Sequence, residues 1–328
     1  TDLMGYEKSQ EMLAEINKKI DEGDISPEIF EEKAKYEFYI HAAENAARKS
    51  KAVFVISNQQ KEKFERLFPF AKQKVMLVRN GCDTTVFHTE KVDAKEVISS
   101  LTSNITPDGK IPTDYDKLAI FVGKFAQFKR VDLVLKAAKI YEEKLAKEGK
   151  KILTLIVGSG ALDDELRNLQ KSLGLKNLHF VGRQGPDIVR KLNNISDVFL
   201  APSDNEPDGA RKTSDNEPDG LVYKEAMLCG DIPVGTLGGG VPDTLNPKNE
   251  KLSPVEGTRI YPTPYGVLIP MDDEQALADA TIFVVDHPEK FDKDAIVKYA
   301  LENYDQRKIS KNVIIPEFEK VIDESKRK

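Results

Sequence analysis

Between Leu118 and Val234 the sequence alternates short apolar, β-forming runs with stretches of helical spacing, and this alternation most constrains what the chain can fold into. The apolar runs are Leu118 to Val122, Ile152 to Val157, Leu178 to Val181, Val198 to Ala201 and Ile232 to Val234. The helical stretches fall between them, at Val131 to Leu145, Ala161 to Leu173, Pro186 to Ile195 and Leu221 to Cys229. A strand that must return parallel to its neighbour needs a crossover, and the intervening helix supplies it. The expected fold class is therefore α/β, a doubly wound parallel sheet of the Rossmann-like kind.

The flanks are less regular. Residues 7 to 50 are charged and Ala-rich, with Ile29, Phe30, Ala34, Tyr36, Phe38 and Tyr39 near helical spacing, and are expected to form a long amphipathic helix with Pro27 in a first turn after Ser26. Short strands are expected at Ala52 to Ile56 and Lys74 to Val78, with a helix capped by Ser57 between them. Residues 88 to 117 are rich in Ser, Thr, Asn, Pro and Asp-Gly and read as a linker with one short helix at most. Beyond Gly238-Gly239-Gly240 comes a Pro-rich span to Pro270. Helices follow at Asp273 to Val285, Asp292 to Asn303 and Asp305 to Asp323.

In a doubly wound sheet ligands meet the carboxyl ends of the strands, and the chemically informative residues fall there. Gly123 and Lys124 follow the first strand of the regular region, and Lys129 lies five residues beyond Lys124. Gly158-Ser159-Gly160 follows the second strand and Gly182-Arg183 the third. After the fourth comes a polar loop, Ser214-Asp215-Asn216-Glu217-Pro218-Asp219-Gly220, that runs straight into the helix carrying Glu225. A helix start leaves its first N–H groups without helical partners and carries a positive dipole end, so the helix expected to open at Gly220-Leu221-Val222 suits a phosphate. Two lysines suit a diphosphate. Side chains on a helix lean toward its N-terminus, so Glu225 reaches back toward a ligand while Glu217 waits ahead of it, and two carboxylates suit hydroxyl groups. Taken singly, each feature is more often a turn, a solvated face or a cap; their joint placement at successive strand ends is what points to a site.

The letters Ser203 to Gly209 repeat those of Ser214 to Gly220. Glu217 stands eight residues before Glu225, directly ahead of the apolar helix, whereas Glu206 is followed by Ala210-Arg211-Lys212-Thr213. Spacing therefore selects Glu217 as the working residue and places Glu206 in an insert that a surface loop tolerates.

Composition narrows the classes. The 328 residues are 40% hydrophobic, carry 49 basic against 55 acidic side chains for a net charge of -6, and include no apolar run long enough to cross a membrane. That charge argues against a dedicated nucleic-acid binder. Cys82 and Cys229 have neither metal-ligand spacing nor a disulfide framework, which suits a reducing cytoplasm, and read as small buried residues. His41, His88, His179 and His287 have no motif context. The start, Thr1-Asp2-Leu3-Met4-Gly5-Tyr6, has neither an initiator Met nor a secretion-signal pattern and reads as a processed or truncated end.

These residues resemble the retaining nucleotide-sugar glycosyltransferases of the GT-B fold, specifically glycosyltransferase family 4, which includes sucrose and sucrose-phosphate synthases. Asn80-Gly81-Cys82-Asp83 with Phe87 resembles the family's Asn-Gly-Val-Asp segment, and Gly123-Lys124 to Lys129 its Gly-Arg with a Lys five later. Glu217 to Glu225, followed by Ala226-Met227 and Cys229-Gly230, resembles its Glu-x7-Glu motif, and Gly239-Gly240-Val241-Pro242-Asp243 its Gly-Gly-Ile-Pro-Glu loop.

The resemblance implies that Lys124 and Lys129 neutralise the donor diphosphate and stabilise the departing nucleotide, with Gly123 in the same loop. It implies that Glu217 holds the donor sugar and Glu225 the ribose, and that the backbone around Val181, Gly182 and Arg183 receives the base, beside the phosphate site expected at the helix start of Gly220, Leu221 and Val222. No metal and no cofactor beyond the nucleotide-diphosphate sugar donor are implied. The other partners implied are an acceptor with a sugar, lipid or other hydroxyl, and a partner chain supplying the N-terminal domain; location is expected to be cytoplasmic.

Two positions depart from the family pattern: an aromatic is usual where Asp219 stands, and Arg is commoner than Lys at Lys124, so a bidentate fork becomes a point charge. The expected organisation is 1–87 as the remnant of an N-terminal Rossmann-like acceptor domain, 88–117 as linker, 118–290 as the donor-binding domain, and 291–328 as C-terminal helices packing back on the first. Three readings stay open: a hexosyl-transferring enzyme, a non-catalytic nucleotide-sugar-binding subunit, and a nucleotide-sugar epimerase of the same architecture.

Overall fold

A computed structural model describes residues 3–103, 106, 109–204 and 219–326. The chain forms two compact units: residues 1–78 with 314–328, and residues 79–313.

In the first unit α1 (Leu3–Asp21) and α2 (Pro27–Lys49) precede β1 (Val53–Val55), α3 (Asn58–Leu67) and β2 (Val75–Leu77). The single long helix expected over residues 7–50 is thus two helices that pack on each other. Gly23, at φ 103, turns the chain between them, and Pro27, which lacks an N–H, starts the second. Tyr6 Oη donates to Glu44 at 3.1 Å across the pair. Ser57 caps α3 by accepting from the Gln60 N–H at 3.2 Å. β1 and β2 pair in parallel, Val53 opposite Val75, over a small core of Tyr6, Ala47, Val55, Phe64, Phe68 and Ala71.

The second unit holds α4 (Ala94–Ser99), β3 (Lys117–Val122), α5 (Val131–Lys147), β4 (Ile152–Val157), α6 (Asp163–Leu173), β5 (Leu178–Gly182), α7 (Pro186–Ile195), β6 (Val198–Ala201), α8 (Leu221–Leu228), β7 (Pro233–Thr236), α9 (Val241–Leu245), β8 (Tyr261–Thr263), β9 (Gly266–Ile269), α10 (Glu274–Asp286), α11 (Lys293–Asn303) and α12 (Gln306–Ile309). Ser310–Ile314 then form a wider, π-type turn just before Pro316, and α13 (Ile315–Lys326) belongs to the first unit, where the Phe318 ring lies tilted 6.0 Å from that of Phe54. The helix expected over 305–323 is therefore interrupted, as a proline that cannot donate its N–H would require.

The sheet order is β5-β4-β3-β6-β7-β9-β8, all parallel except the edge strand β8, which runs antiparallel to β9. β4, β6, β7 and β9 are buried along their whole length, which explains their continuous apolar runs. β8 and β9 lie inside the span that the sequence marks only as Pro-rich. β8 accommodates Pro262 because an edge strand leaves some N–H positions unpaired. Residues 88–117, expected as a linker, place Val97, Ile98, Leu101 and Ile111 in the core of this unit; apolar side chains spaced among polar ones were enough to anchor the segment.

Candidate functional site

The strand order places the break in winding between β3 and β6, which are hydrogen-bonded neighbours with β4 and β5 running outward on one side and β7, β9 and β8 on the other. The loops leaving β3 and β6 meet at this switch point, where such sheets bind ligands. The Asp204 N–H donates to the Phe128 carbonyl at 2.6 Å and joins the two loops directly.

Backbone contacts shape the β3 side. The Gly123 N–H donates to Val157 at 3.0 Å, the Phe125 N–H to Ser159 at 3.0 Å, and the Gly158 N–H to Gly182 at 2.9 Å, so the loops after β3, β4 and β5 are laced together. Gly158 has no alternative: at φ 144 a Cβ would lie 1.8 Å from the Gly123 carbonyl oxygen. Lys124 is exposed, and Lys129 is half-buried with its ammonium 5.2 Å from the centre of the Phe128 ring. Val181 and Gly182 end β5, with Val181 buried and its carbonyl accepting from Gln184 Nε2 at 2.7 Å; Arg183 is exposed just beyond.

Arg130 went unnoticed in the sequence. It lies 5% exposed in a left-handed backbone conformation, φ 50, ahead of α5. Its guanidinium bonds Asp132 at 3.0 Å, pairs with Asp272 at 2.6 Å and lies 3.9 Å from Asp204, tying the ends of β3, β9 and β6. Nothing in the letters Lys129-Arg130-Val131 marks it, because its partners come from loops far along the chain.

Buried side chains shape the α8 side. Gly220 heads α8 with φ 62, and a Cβ there would stand 2.4 Å from the Tyr223 ring. Leu221 is exposed at 41% and Val222 half-buried. Tyr223 is fully buried, its hydroxyl donating to the Ala201 carbonyl at the end of β6, which seats the helix on the sheet. Lys224 is also fully buried; its ammonium pairs with Asp219 and donates to the Asn80 carbonyl at 3.1 Å. Burial lowers the Lys224 pKa, against the opposing pull of Asp219. Glu225 is half-buried with no described residue hydrogen-bonded to its carboxylate, and burial raises its pKa to about 6. Cys82 and Cys229 are buried, each thiol pushed up to about 12 chiefly by burial. Glu217, with Glu206 of the duplicate, lies outside the described residues.

The signal for Lys224 was present in the sequence. Leu221, Val222, Tyr223, Ala226, Met227 and Leu228 surround it with apolar neighbours on every side of the helix, so that its charge must be met internally.

Residues 106–301 match the model of the family described as Glycosyl transferases group 1, which is more than half of the chain. The chain belongs to the group 1 glycosyl transferases. An N-acetyl-alpha-D-glucosaminyl L-malate synthase of Bacillus anthracis is 33% identical over 135 residues, covering 40% of this chain and 30% of that protein. Among solved structures, sucrose-phosphate synthase from Thermosynechococcus elongatus superposes with a TM-score of 0.63 at 18% identity, covering 88% of this chain and 62% of that one. HepE from Anabaena, solved in complex with UDP, gives 0.61 at 18% identity, covering 84% of this chain and 66% of that one. This group 1 chain thus spans less than two thirds of each of these proteins and shares the α/β, parallel-sheet fold of the GT-B glycosyltransferases. No helix among the described residues is long and apolar enough to cross a membrane.

Proposed function

We propose that the chain is a retaining glycosyltransferase, or the donor-binding portion of one, which moves a hexosyl group from a nucleotide-diphosphate sugar to an acceptor hydroxyl without a metal ion. The observation that carries this reading is the meeting, at the switch point, of the two-lysine loop after β3 with the loop leaving β6, at whose strand end Tyr223 seats α8. Lys124, Lys129 and the N–H groups at Gly220, Leu221 and Val222 meet the diphosphate and stabilise charge developing on the leaving oxygen. The end of β5 lies three strand positions from β6, a span of about 14 Å at the usual strand spacing, which suits a base held at Val181, Gly182 and Arg183 while the sugar is held near α8. Glu225 takes the ribose hydroxyls and Glu217 the donor sugar. The UDP bound by HepE, a protein of the same fold, is in keeping with this donor class.

Calorimetric titration of the chain with UDP-glucose, UDP-N-acetylglucosamine and GDP-mannose tests the reading. Saturable binding of at least one is expected, weakened about tenfold or more in Lys124→Ala with Lys129→Ala, since each lysine supplies a charge-assisted contact. No binding of any nucleotide sugar would overturn it. Product formed with an acceptor must keep the donor's anomeric configuration by NMR; inversion would refute retention, and nucleotide release without glycoside would favour an epimerase.

A further inference from the structure

Lys129 ends a tight turn, Gln127–Lys129, and Arg130 closes that turn in a left-handed conformation, φ 50 and ψ 43, before α5 begins. A left-handed backbone crowds a Cβ, so a residue other than glycine needs a compensating contact there. Among the described residues three non-glycines have positive φ, and two of them, Arg130 and Asp272, pair with each other at 2.6 Å. Arg130 also makes a forked contact with Asp132, donating from Nε and Nη2 at 3.0 Å each. The guanidinium is thereby fixed in direction as well as in place.

A third carboxylate, that of Asp204 in the loop leaving β6, lies 3.9 Å from Arg130 Nη1. Asp204 meets the β3 loop on both sides of Lys129. Its N–H donates to the Phe128 carbonyl at 2.6 Å, and its carboxylate faces Arg130. Lys129 is thus bracketed: the residue before it is held by a backbone bond, the residue after it by an ion pair, and the holder is the same residue of a neighbouring loop. Backbone bonds lace the loops after β3, β4 and β5, and these two contacts add the loop leaving β6.

We propose that Arg130 is a positioning residue for the donor diphosphate, fixing Lys129 against Asp204 without itself touching the ligand. The inference deepens the donor reading above and rests on it. Lys129 is half-buried, and an ammonium on a long, flexible stem meets a phosphate at full strength only when the backbone that carries it is held. A role in backbone geometry alone would be better met by glycine, which adopts this conformation without strain; the arginine side chain is needed for what it holds.

The test uses the whole chain and a double-mutant cycle. Arg130→Gly removes the guanidinium and supplies the residue best suited to φ 50, so the turn itself is kept. Asp132 then retains Lys136 at 3.3 Å, and Asp272 is exposed to water. Thermal unfolding checks that the variant is folded. If it is not, Asp204→Asn, which leaves Arg130 with Asp132 and Asp272, takes its place in the cycle. UDP and GDP are titrated into wild type, Arg130→Gly, Lys129→Ala and the double variant. Affinity for the nucleotide that binds is expected to fall about tenfold in Arg130→Gly. In the Lys129→Ala chain the same change is expected to shift affinity by no more than about twofold, because the lysine through which Arg130 acts is gone. Equal losses with and without Lys129, or no loss in either, would overturn the inference and leave the donor reading standing. Wild-type protein that binds neither nucleotide would overturn the donor reading itself, and this inference with it.

Discussion

The two sides of the candidate site are built on different plans. Around the end of β3 the backbone does the positioning: carbonyl and N–H groups of Gly123, Phe125, Gly158 and Gly182 lace three loops together, and Lys124 is left in water. At the head of α8 the positioning is done by buried charge, with Lys224, Asp219 and Glu225 taken wholly or partly out of solvent. The contrast follows from solvent: an exposed ammonium keeps its hydration, whereas a charge taken out of water must be met inside the fold or shift its pKa.

Breaking the buried side should have the largest effect. Lys224→Met leaves Asp219 buried without its cation and is expected to destabilise the chain by about 3–5 kcal/mol, whereas the double change Asp219→Leu with Lys224→Met should recover most of that loss. Urea unfolding of both variants measures the difference. Equal losses would mean that the pair does not act as a unit and that α8 is held by Tyr223 and its apolar neighbours alone.

The backbone-built side is broken differently. Gly158→Ala puts a Cβ against the Gly123 carbonyl and forces a non-glycine residue to φ 144, for an expected loss of about 3 kcal/mol with no charge altered. Urea unfolding again measures the loss, and nucleotide titration should show weaker binding as well, because Lys124 rides on the displaced loop. Normal stability in this variant would show that the loops can part without cost.

Much of the frame was legible in the sequence. The alternation from Leu118 to Val234 marks the central strands and their helices because fully buried parallel strands must be continuously apolar, and β3 to β7 lie within a residue or two of the runs that announce them. β8 and β9 were hidden by Pro262, Pro264 and Gly266, which read as turn residues when the edge position that tolerates them is unknown. On the backbone-built side Gly123, Lys124 and Gly182 stand at the strand ends where the sequence places them, and on the other side Gly220 stands at the head of α8. The site was least legible where charges meet across long stretches of chain. Arg130 finds Asp204 and Asp272, and Lys224 finds Asn80, only once the sheet has brought those loops to one edge.

The smallest effect separates the two plans by pH. Burial raises the Glu225 pKa from 4.5 to about 6, so the folded chain holds that proton more tightly than the unfolded chain does. Between these values the folded state binds more protons, and stability therefore falls as pH rises. The cost of the buried charge is absent below about 4.5, complete above about 6, and amounts to at most about 2 kcal/mol. Glu225→Gln removes that dependence and nothing else in the window. Asp231, raised by burial to about 7, and His179, lowered by burial to about 4, titrate in the same range with opposite signs, so the measured quantity is the difference between wild type and variant. Urea midpoints from pH 4 to 7.5 should show the wild type losing ground to the variant as pH rises through this window. A flat difference would place the Glu225 carboxylate in water, on the same plan as Lys124, and would leave Asp219, among the described residues, as the one carboxylate at the head of α8 that burial holds in place.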